Sequence, residues 1–504
     1  MVSLEPFDFG LSRLPDNSLV VEDQYQNRYG RGSFPDPLLG VTPDKRTETE
    51  RDRGRLAYAP SIRRLAGVTQ VVSPDLVMSQ LHSRATHTYK VAMVSREVAE
   101  HVTRKVYERG TDAEGIAAVI AAAGGLDIAA CEAAGLAHDL GHPPFGHAGE
   151  EALDALLLDG SRTQDGFEGN AQSFRIVSQL ERVKVNKTTN GLDLTNVTLA
   201  AILKYPWVRK APFSEAANRK FGAYLTEDED RVRVRRALGL HEVTRQSLEA
   251  SVMDLADDIA YAIHDLEDFL AAGVISPSSV LADLRDAISG VRDNADFNDS
   301  ASPDDPFTRE THRLRGKYPE YFNDEAYLAA LKYARSVFED VPEDYDDPLA
   351  PMLLRTTLAG VVKELFAALS VTEEGAYANG PRIYLAAAEW HNIQVLKTVT
   401  KRFLVNRSPM GSLQRTQAEI VRVVFDKTVE WLGSKPEEHH LPIPLRRVMG
   451  TADVGIPSDG VLQEPHYRAI ADYVCTMSDS EAALRARYLS GADIPGPAEL
   501  GIHP

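Results

Sequence analysis

Apolar positions recur every three or four residues through most of the chain, and no stretch of any length alternates apolar with polar. That periodicity predicts helices, so the fold is expected to be all-α, or mainly α. Over residues 81–102, Val91, Val94, Val98 and Val102 mark one face of an amphipathic helix. Around residues 128–137, Ile128, Ala129, Ala133, Ala134, Leu136 and Ala137 leave little polar surface, which predicts a buried helix ending near Gly141, with Pro143 and Pro144 beyond. A new helix is expected near Ala148. Further helices are expected at 170–180, at 195–205 before Pro206, and at 247–270, where Val252, Leu255, Ile259, Ile263 and Leu266 flank a polar stripe. Helical patterns resume from Pro351 and include 395–405, 412–432 and 467–489. Residues 1–45 are rich in Pro, Gly, Asp and Asn and read as an irregular arm. Residues 207–245 read as charged and irregular, and 291–350 as an acidic, Pro-containing insertion or linker. The expected organisation is therefore an arm (1–45), a helical core (46–290), the acidic segment (291–350) and a C-terminal helical lobe (351–504).

Composition changes this picture little. Of 504 residues, 43% are hydrophobic and 26% charged, the balance of an ordinary globular protein. Two cysteines, Cys131 and Cys475, argue against a disulfide framework and for a reducing, cytoplasmic setting. The start, MVSLEPFDFG, lacks a basic region followed by an apolar run, so no signal peptide is expected. No membrane span is expected either, because Asp127 and Glu132 interrupt the most apolar stretch. The net charge of −19 argues against a general nucleic-acid-binding surface but leaves room for a local basic site. One basic run, with Arg51, Arg53, Arg55, Arg63 and Arg64, reads either as a solvated helix face or as an anion site.

Candidate chemistry concentrates in CEAAGLAHDLGHPPFGHAGE, residues 131–150. His138 and Asp139 stand at the end of the most apolar helix, where an unpaired charge is costly. A divalent metal would account for them, since imidazole nitrogen and carboxylate oxygen suit Zn, Mn, Fe or Mg in different proportions. Pairing of a helix-end histidine with its neighbour is the alternative. Arg84 and His87 share a face of the 81–102 helix, and Asp257, Tyr261, His264, Asp265 and Asp268 share a stripe of the 247–270 helix. Lys204 stands at a helix C-terminus, which favours cations, or reaches an anion.

The order His87, His138-Asp139, Asp257 resembles the signature of the HD superfamily of metal phosphohydrolases. The segments RDRGRLAYAPSIRRLAGVTQV, SRATHT, HDLGHPPFGHAGE, FEGNAQS, ILKY and ADDIAYAIHDLED resemble, in order, blocks of the deoxyguanosine triphosphate triphosphohydrolase (dGTPase) family, and DYVCTMSD resembles its C-terminal helix. The resemblance implies an HD-domain helical bundle over 46–290 with His87, His138, Asp139 and Asp257 on a divalent ion, Mg or Mn, with Fe, Co or Zn as alternatives. It implies hydrolysis of dGTP or other dNTPs to deoxynucleoside and inorganic triphosphate, with His147 and Glu150 in proton transfer. Arg84, His142 and Lys204 would contact phosphate, and Gln70, Tyr261 and Asp265 the sugar. Asn170 matches a polar position of undefined role. A homo-oligomer, a hexamer in relatives, and a second dNTP or single-stranded DNA as effector are further implications. Two rival readings stand beside it: another HD-type nucleotide phosphohydrolase, and an inactive nucleotide- or ssDNA-sensing protein.

Overall fold

The computed structural model describes residues 10–31, 45–70, 83–108, 111–182, 191–210, 218–293, 306–343, 347–404 and 408–492. The Ile128–Ala137 helix is its axis: all of its residues except Glu132 are buried. Asp127 caps it, its side chain accepting from the Ala130 amide at 2.7 Å. The helices Glu48–Ala57, Arg84–Lys105, Asn196–Ile202 and Leu248–Ile259 surround it. Small residues allow that crowding. A Cβ at Gly135 would stand 2.6 Å from the Cα of Ala92 on the Arg84–Lys105 helix, so only glycine permits this approach.

The first core joins Val91, Val98, Ile120, Val252 and Ile259 to Phe307, Leu314, Tyr327 and Leu331. The last four lie on the helices Pro306–Lys317 and Asp324–Glu339. The described part of the acidic segment is therefore packed helix rather than linker. The acidic runs that mark the segment, at 292–305 and 339–348, flank these helices in sequence and hide their apolar stripe in any reading of composition. Residues 207–245 likewise contain a helix, Asp228–Ala237, whose Val234 and Arg235 are buried. The arm, too, is partly ordered: Leu11–Arg13 and Leu19–Val21 pair antiparallel, and Leu19–Val21 pairs with Gly125–Leu126. Apart from this sheet and the Leu369–Val371/Ile383–Leu385 pair, the described residues are all-α. None of the described helices is long and apolar enough to cross a membrane.

A separate core joins Leu153, Leu156 and Leu157 of the His147–Leu158 helix to Val421, Val424 and Phe425 of the Ser408–Gly433 helix, and to Ile470 and Val474 of the Glu464–Val474 helix. Buried ion pairs tie the same lobes, Arg175 to Asp472 at 2.9 Å and Arg468 to Asp165 at 2.6 Å. Helix 128–137 thus anchors one core and helix 147–158 the other, and the short loop between them is gripped from both sides. Three arginines of the basic run are spent internally. Arg53 pairs with Glu132 at 2.9 Å, Arg55 donates to the carbonyl of Leu192, and Arg64 donates to those of Leu140 and His142.

Asp127 supplies a pH prediction. Burial, reinforced by Asp16, lifts its carboxyl to about 7, against the bonds it accepts from the Ala130 amide and the Tyr29 hydroxyl. The folded value exceeds the unfolded one, so the native state binds the extra proton. Its stabilisation is complete below the ordinary carboxylate range and is lost as pH rises through about 7. In Asp127→Asn, chemical denaturation between pH 5 and 8 should show a stability decline shallower than wild type by a few kcal/mol at most.

Candidate metal centre and active site

Four helices bring the site together. Arg84 and His87 occupy the first turn of the Arg84–Lys105 helix, both buried. His138 is the residue on which the Ile128–Ala137 helix ends. Its Nδ1 lies 2.8 Å from the carbonyl of Gly135, a bond that protonates Nδ1 and leaves a lone pair on Nε2. That Nε2 is buried and has no hydrogen-bond partner. His87 Nδ1 lies 3.2 Å from Asp265 Oδ1, and its Nε2 lies 3.2 Å from Asp257 Oδ1. The same Asp257 oxygen lies 3.7 Å from His138 Nε2. Ligand atoms of His87, His138 and Asp257 all fall within 4.8 Å of one another.

This donor set fits a divalent cation. An orphaned imidazole lone pair and a carboxylate converge on one point in a buried setting, and a positive charge between them removes both the repulsion and the desolvation cost. Burial pushes His87 down, but Asp265 and Asp257 outweigh it and lift the ring to about 10. Burial also pushes Asp257 and Asp139 up, yet Lys204 beside the first and Arg84 beside the second hold both well below the usual carboxylate range. Asp139 stands at the edge of the trio. Its Oδ2 is 3.4 Å from His138 Nε2 and accepts from Arg84 Nη1 at 2.7 Å.

Asp265 takes a place the sequence did not suggest. Expected beside a sugar, it is buried on His87 Nδ1 and does not line the cavity. A carboxylate on the remote nitrogen of a ligand histidine fixes the ring's tautomer and direction. The helix changes character just before it. A π-turn, Ala260–His264, interrupts the expected straight helix between Asp257 and Asp265, so the two carboxylates reach opposite nitrogens of one ring.

His142 and His147 lie on the loop between the two cores. Phe145 has φ +65° and Gly146 φ +57°, and a Cβ at Gly146 would meet Arg84 Nη2 at 2.8 Å. The turn places His147 at the start of the His147–Leu158 helix with Nδ1 2.9 Å from Glu150 Oε2. The His147 side chain is 72% exposed and Glu150 is buried. Burial pushes the Glu150 carboxyl up, but the His147 bond and the Lys220 cation, 3.1 Å away, hold it well below its usual range.

A cavity of about 1020 Å³ opens over these groups. Gln70, Arg84, His142, Asn170, Lys204 and Tyr261 line it. Lys204 also bonds Asp257 Oδ2 at 2.8 Å, and Asn170 bonds Glu168 at 2.8 Å. The far wall comes from the C-terminal helices and carries Lys397, Lys401, Arg415 and Arg422. With Arg84, Lys204 and Lys220, seven Lys and Arg side chains line the cavity of a chain of net charge −19, beside the carboxylates Asp139, Glu151, Asp257 and Asp258. The sequence reading missed Lys220 inside a stretch taken as irregular. It also passed over the i, i+4 pair Lys397 and Lys401 and the i, i+7 pair Arg415 and Arg422, whose shared helix faces were the available signal.

The loop is pinned from far along the chain. Asp479, buried at the start of the Asp479–Leu489 helix, accepts from the Phe145 amide at 2.7 Å and from the Thr69 amide at 3.0 Å. The Thr69 carbonyl in turn accepts from Arg84 Nε at 3.2 Å. Asp479→Ala leaves these buried donors unpaired, at about 2–4 kcal/mol. Hydrogen exchange should show the 140–150 peptide losing protection while that of the Ile128–Ala137 helix persists.

The comparisons agree with this geometry. The HD domain model matches residues 84–262, the span from Arg84 through Tyr261. A protein of Streptomyces coelicolor, named deoxyguanosinetriphosphate triphosphohydrolase-like, is 35% identical over 463 residues, 88% of this chain and 94% of its own. The chain belongs to this family. Like-named proteins of Corynebacterium efficiens (40% identical over 243 residues, 48% of this chain and 50% of the relative) and Aliivibrio fischeri (25% over 482 residues, 87% and 92%) are further members of the deoxyguanosinetriphosphate triphosphohydrolase-like family that resemble it. Membership makes the chain an HD-domain, metal-dependent phosphohydrolase.

Proposed function

We propose that this protein hydrolyses deoxynucleoside triphosphates, dGTP among them, to deoxynucleoside and inorganic triphosphate. The observation that carries the reading is the convergence of His87, the partnerless His138 nitrogen and Asp257 beneath a cavity walled by cations. A polyanion is what such a wall attracts in an otherwise acidic protein.

His87, His138 and Asp257, with Asp139 closing the set, would hold one divalent ion. That ion would stabilise negative charge developing at the α-phosphorus. Arg84, at the junction of Asp139 and the loop, would lend a forked guanidinium to phosphate oxygens, and Lys204 a point charge. Lys220 and the cations of the far wall suit the rest of the triphosphate. His147, held by Glu150 and open to the cavity, would move the proton at the attacking water or at the sugar O5′. Tyr261 and Gln70 line the same space and suit the deoxyribose. An aromatic ring crowding the position of a 2′-hydroxyl would disfavour ribonucleotides.

Product analysis tests this. Purified protein with each dNTP, singly and mixed, and Mg or Mn should yield deoxynucleoside and triphosphate by chromatography. Monophosphate with pyrophosphate, or free phosphate, would place the chain with a different HD-type reaction. Nucleotide binding with no turnover for any dNTP and metal would make it a sensing protein.

A further inference from the structure

We propose that His142, His147 and Glu150 form a second cation site, selective for zinc-class ions, whose occupation withdraws the His147 imidazole from proton transfer. The binding half stands on geometry alone, and the inhibitory half rests on the function proposed above.

Ligand atoms of the three residues lie within 4.8 Å of one another. His147 Nδ1 is 2.9 Å, and His142 Nε2 3.9 Å, from the same Glu150 oxygen. The two rings stand 5.3 Å apart, centroid to centroid, and nearly perpendicular at 70°. Two imidazoles and a carboxylate, with one position left for water, are a donor set that zinc accepts in tetrahedral sites. Nitrogen donors favour zinc, cobalt or nickel over magnesium and calcium. The site also has outer support. His142 Nδ1, on a buried ring, lies 3.0 Å from Asp139 Oδ1, where a carboxylate backs a ligand histidine. His142 and Glu150 are buried while His147 faces solvent, so the site has a rigid floor and an open mouth. Lys220, a cation in direct competition among the described residues, sits on the other Glu150 oxygen at 3.1 Å.

The site differs from the His87–His138–Asp257 centre in ligands, and Asp139 stands between the two. Magnesium at that centre would therefore leave the second site empty, and zinc in excess would fill it. The exposed cluster of Glu437, His439 and His440 is a surface group that also offers nitrogens, so its two histidines are replaced by alanine in every protein tested.

The experiment is equilibrium dialysis of the full-length protein against zinc with elemental analysis, at neutral pH. Two zinc ions per chain are expected, and one in His142→Ala or Glu150→Gln. Lys220→Met should tighten the second zinc about tenfold, because it removes a positive charge beside the ligand carboxylate. A gain of affinity cannot come from misfolding. One zinc in the parent, two in both ligand variants, or an unchanged second affinity in Lys220→Met would each overturn the site. Zinc added to the magnesium-loaded enzyme should lower turnover at the concentration that fills the second site, and Lys220→Met should move that concentration down by the same factor. Turnover unaffected at full occupancy would overturn the inhibitory half. Absence of any dNTP hydrolysis would instead sink the proposed reaction, and the stoichiometry would still decide the site.

Discussion

His138→Ala should lose at least about 10³-fold in kcat/KM together with its divalent metal, and Asp257→Ala should do the same. The two changes break the same centre from different elements. His138 carries the buried nitrogen that has no partner, and Asp257 the oxygen shared by both histidines. Neither is needed to close a hydrophobic core, so circular dichroism should stay near wild type. Asp257→Ala also strands Lys204, which is then left with Asp254 at 2.8 Å. Asp265→Asn should separate support from ligation. It keeps the shape beside His87 Nδ1 but removes the charge, so metal affinity should fall about 10–100-fold while saturating metal restores turnover. Were Asp265 a sugar contact instead, KM would rise and metal affinity would not move. Wild-type turnover in His138→Ala with no metal bound would remove the proposed centre altogether.

Much of this centre was legible because it depends on local spacing. The i, i+3 relation of Arg84 and His87, the apolar helix that delivers His138, and the i, i+3 pair His147–Glu150 are one-helix facts, and the structure places each on the cavity or its floor. What depended on a change of helical register was not legible. The π-turn at Ala260–His264 moves Asp265 from the expected stripe to the back of His87, and no periodicity announces one extra residue in a turn. Long-range contacts were equally silent. Asp479 and Arg64 hold the loop through backbone groups, and backbone partners leave no mark on residue type. The acidic segment misled for another reason. Its acidic runs, at 292–305 and 339–348, flank two helices whose inner face carries Phe307, Leu314 and Tyr327, so composition over the whole segment hid them.

His147→Ala should lower kcat by about 10²–10⁴ while leaving the metal of the His87–His138–Asp257 centre intact, the size expected when one positioned proton-transfer group is lost. His147 is mostly exposed, so the change should not cost the fold. Glu150→Gln is the sharper probe. Glu150 is buried and stays charged across the assay range, because the His147 bond and Lys220 outweigh the burial that pushes its carboxyl up. Replacing it leaves the hydrogen-bonding shape but removes the charge that orients the imidazole, so kcat should fall, though less than in His147→Ala. The double variant should be no slower than His147→Ala alone, since Glu150 acts through the ring. KM for the dNTP should change little in all three, because neither side chain is asked to hold the triphosphate. A double variant slower than His147→Ala by the full single effect of Glu150→Gln would mean that Glu150 acts on the reaction directly, and the pairing seen at 2.9 Å would then be structural only.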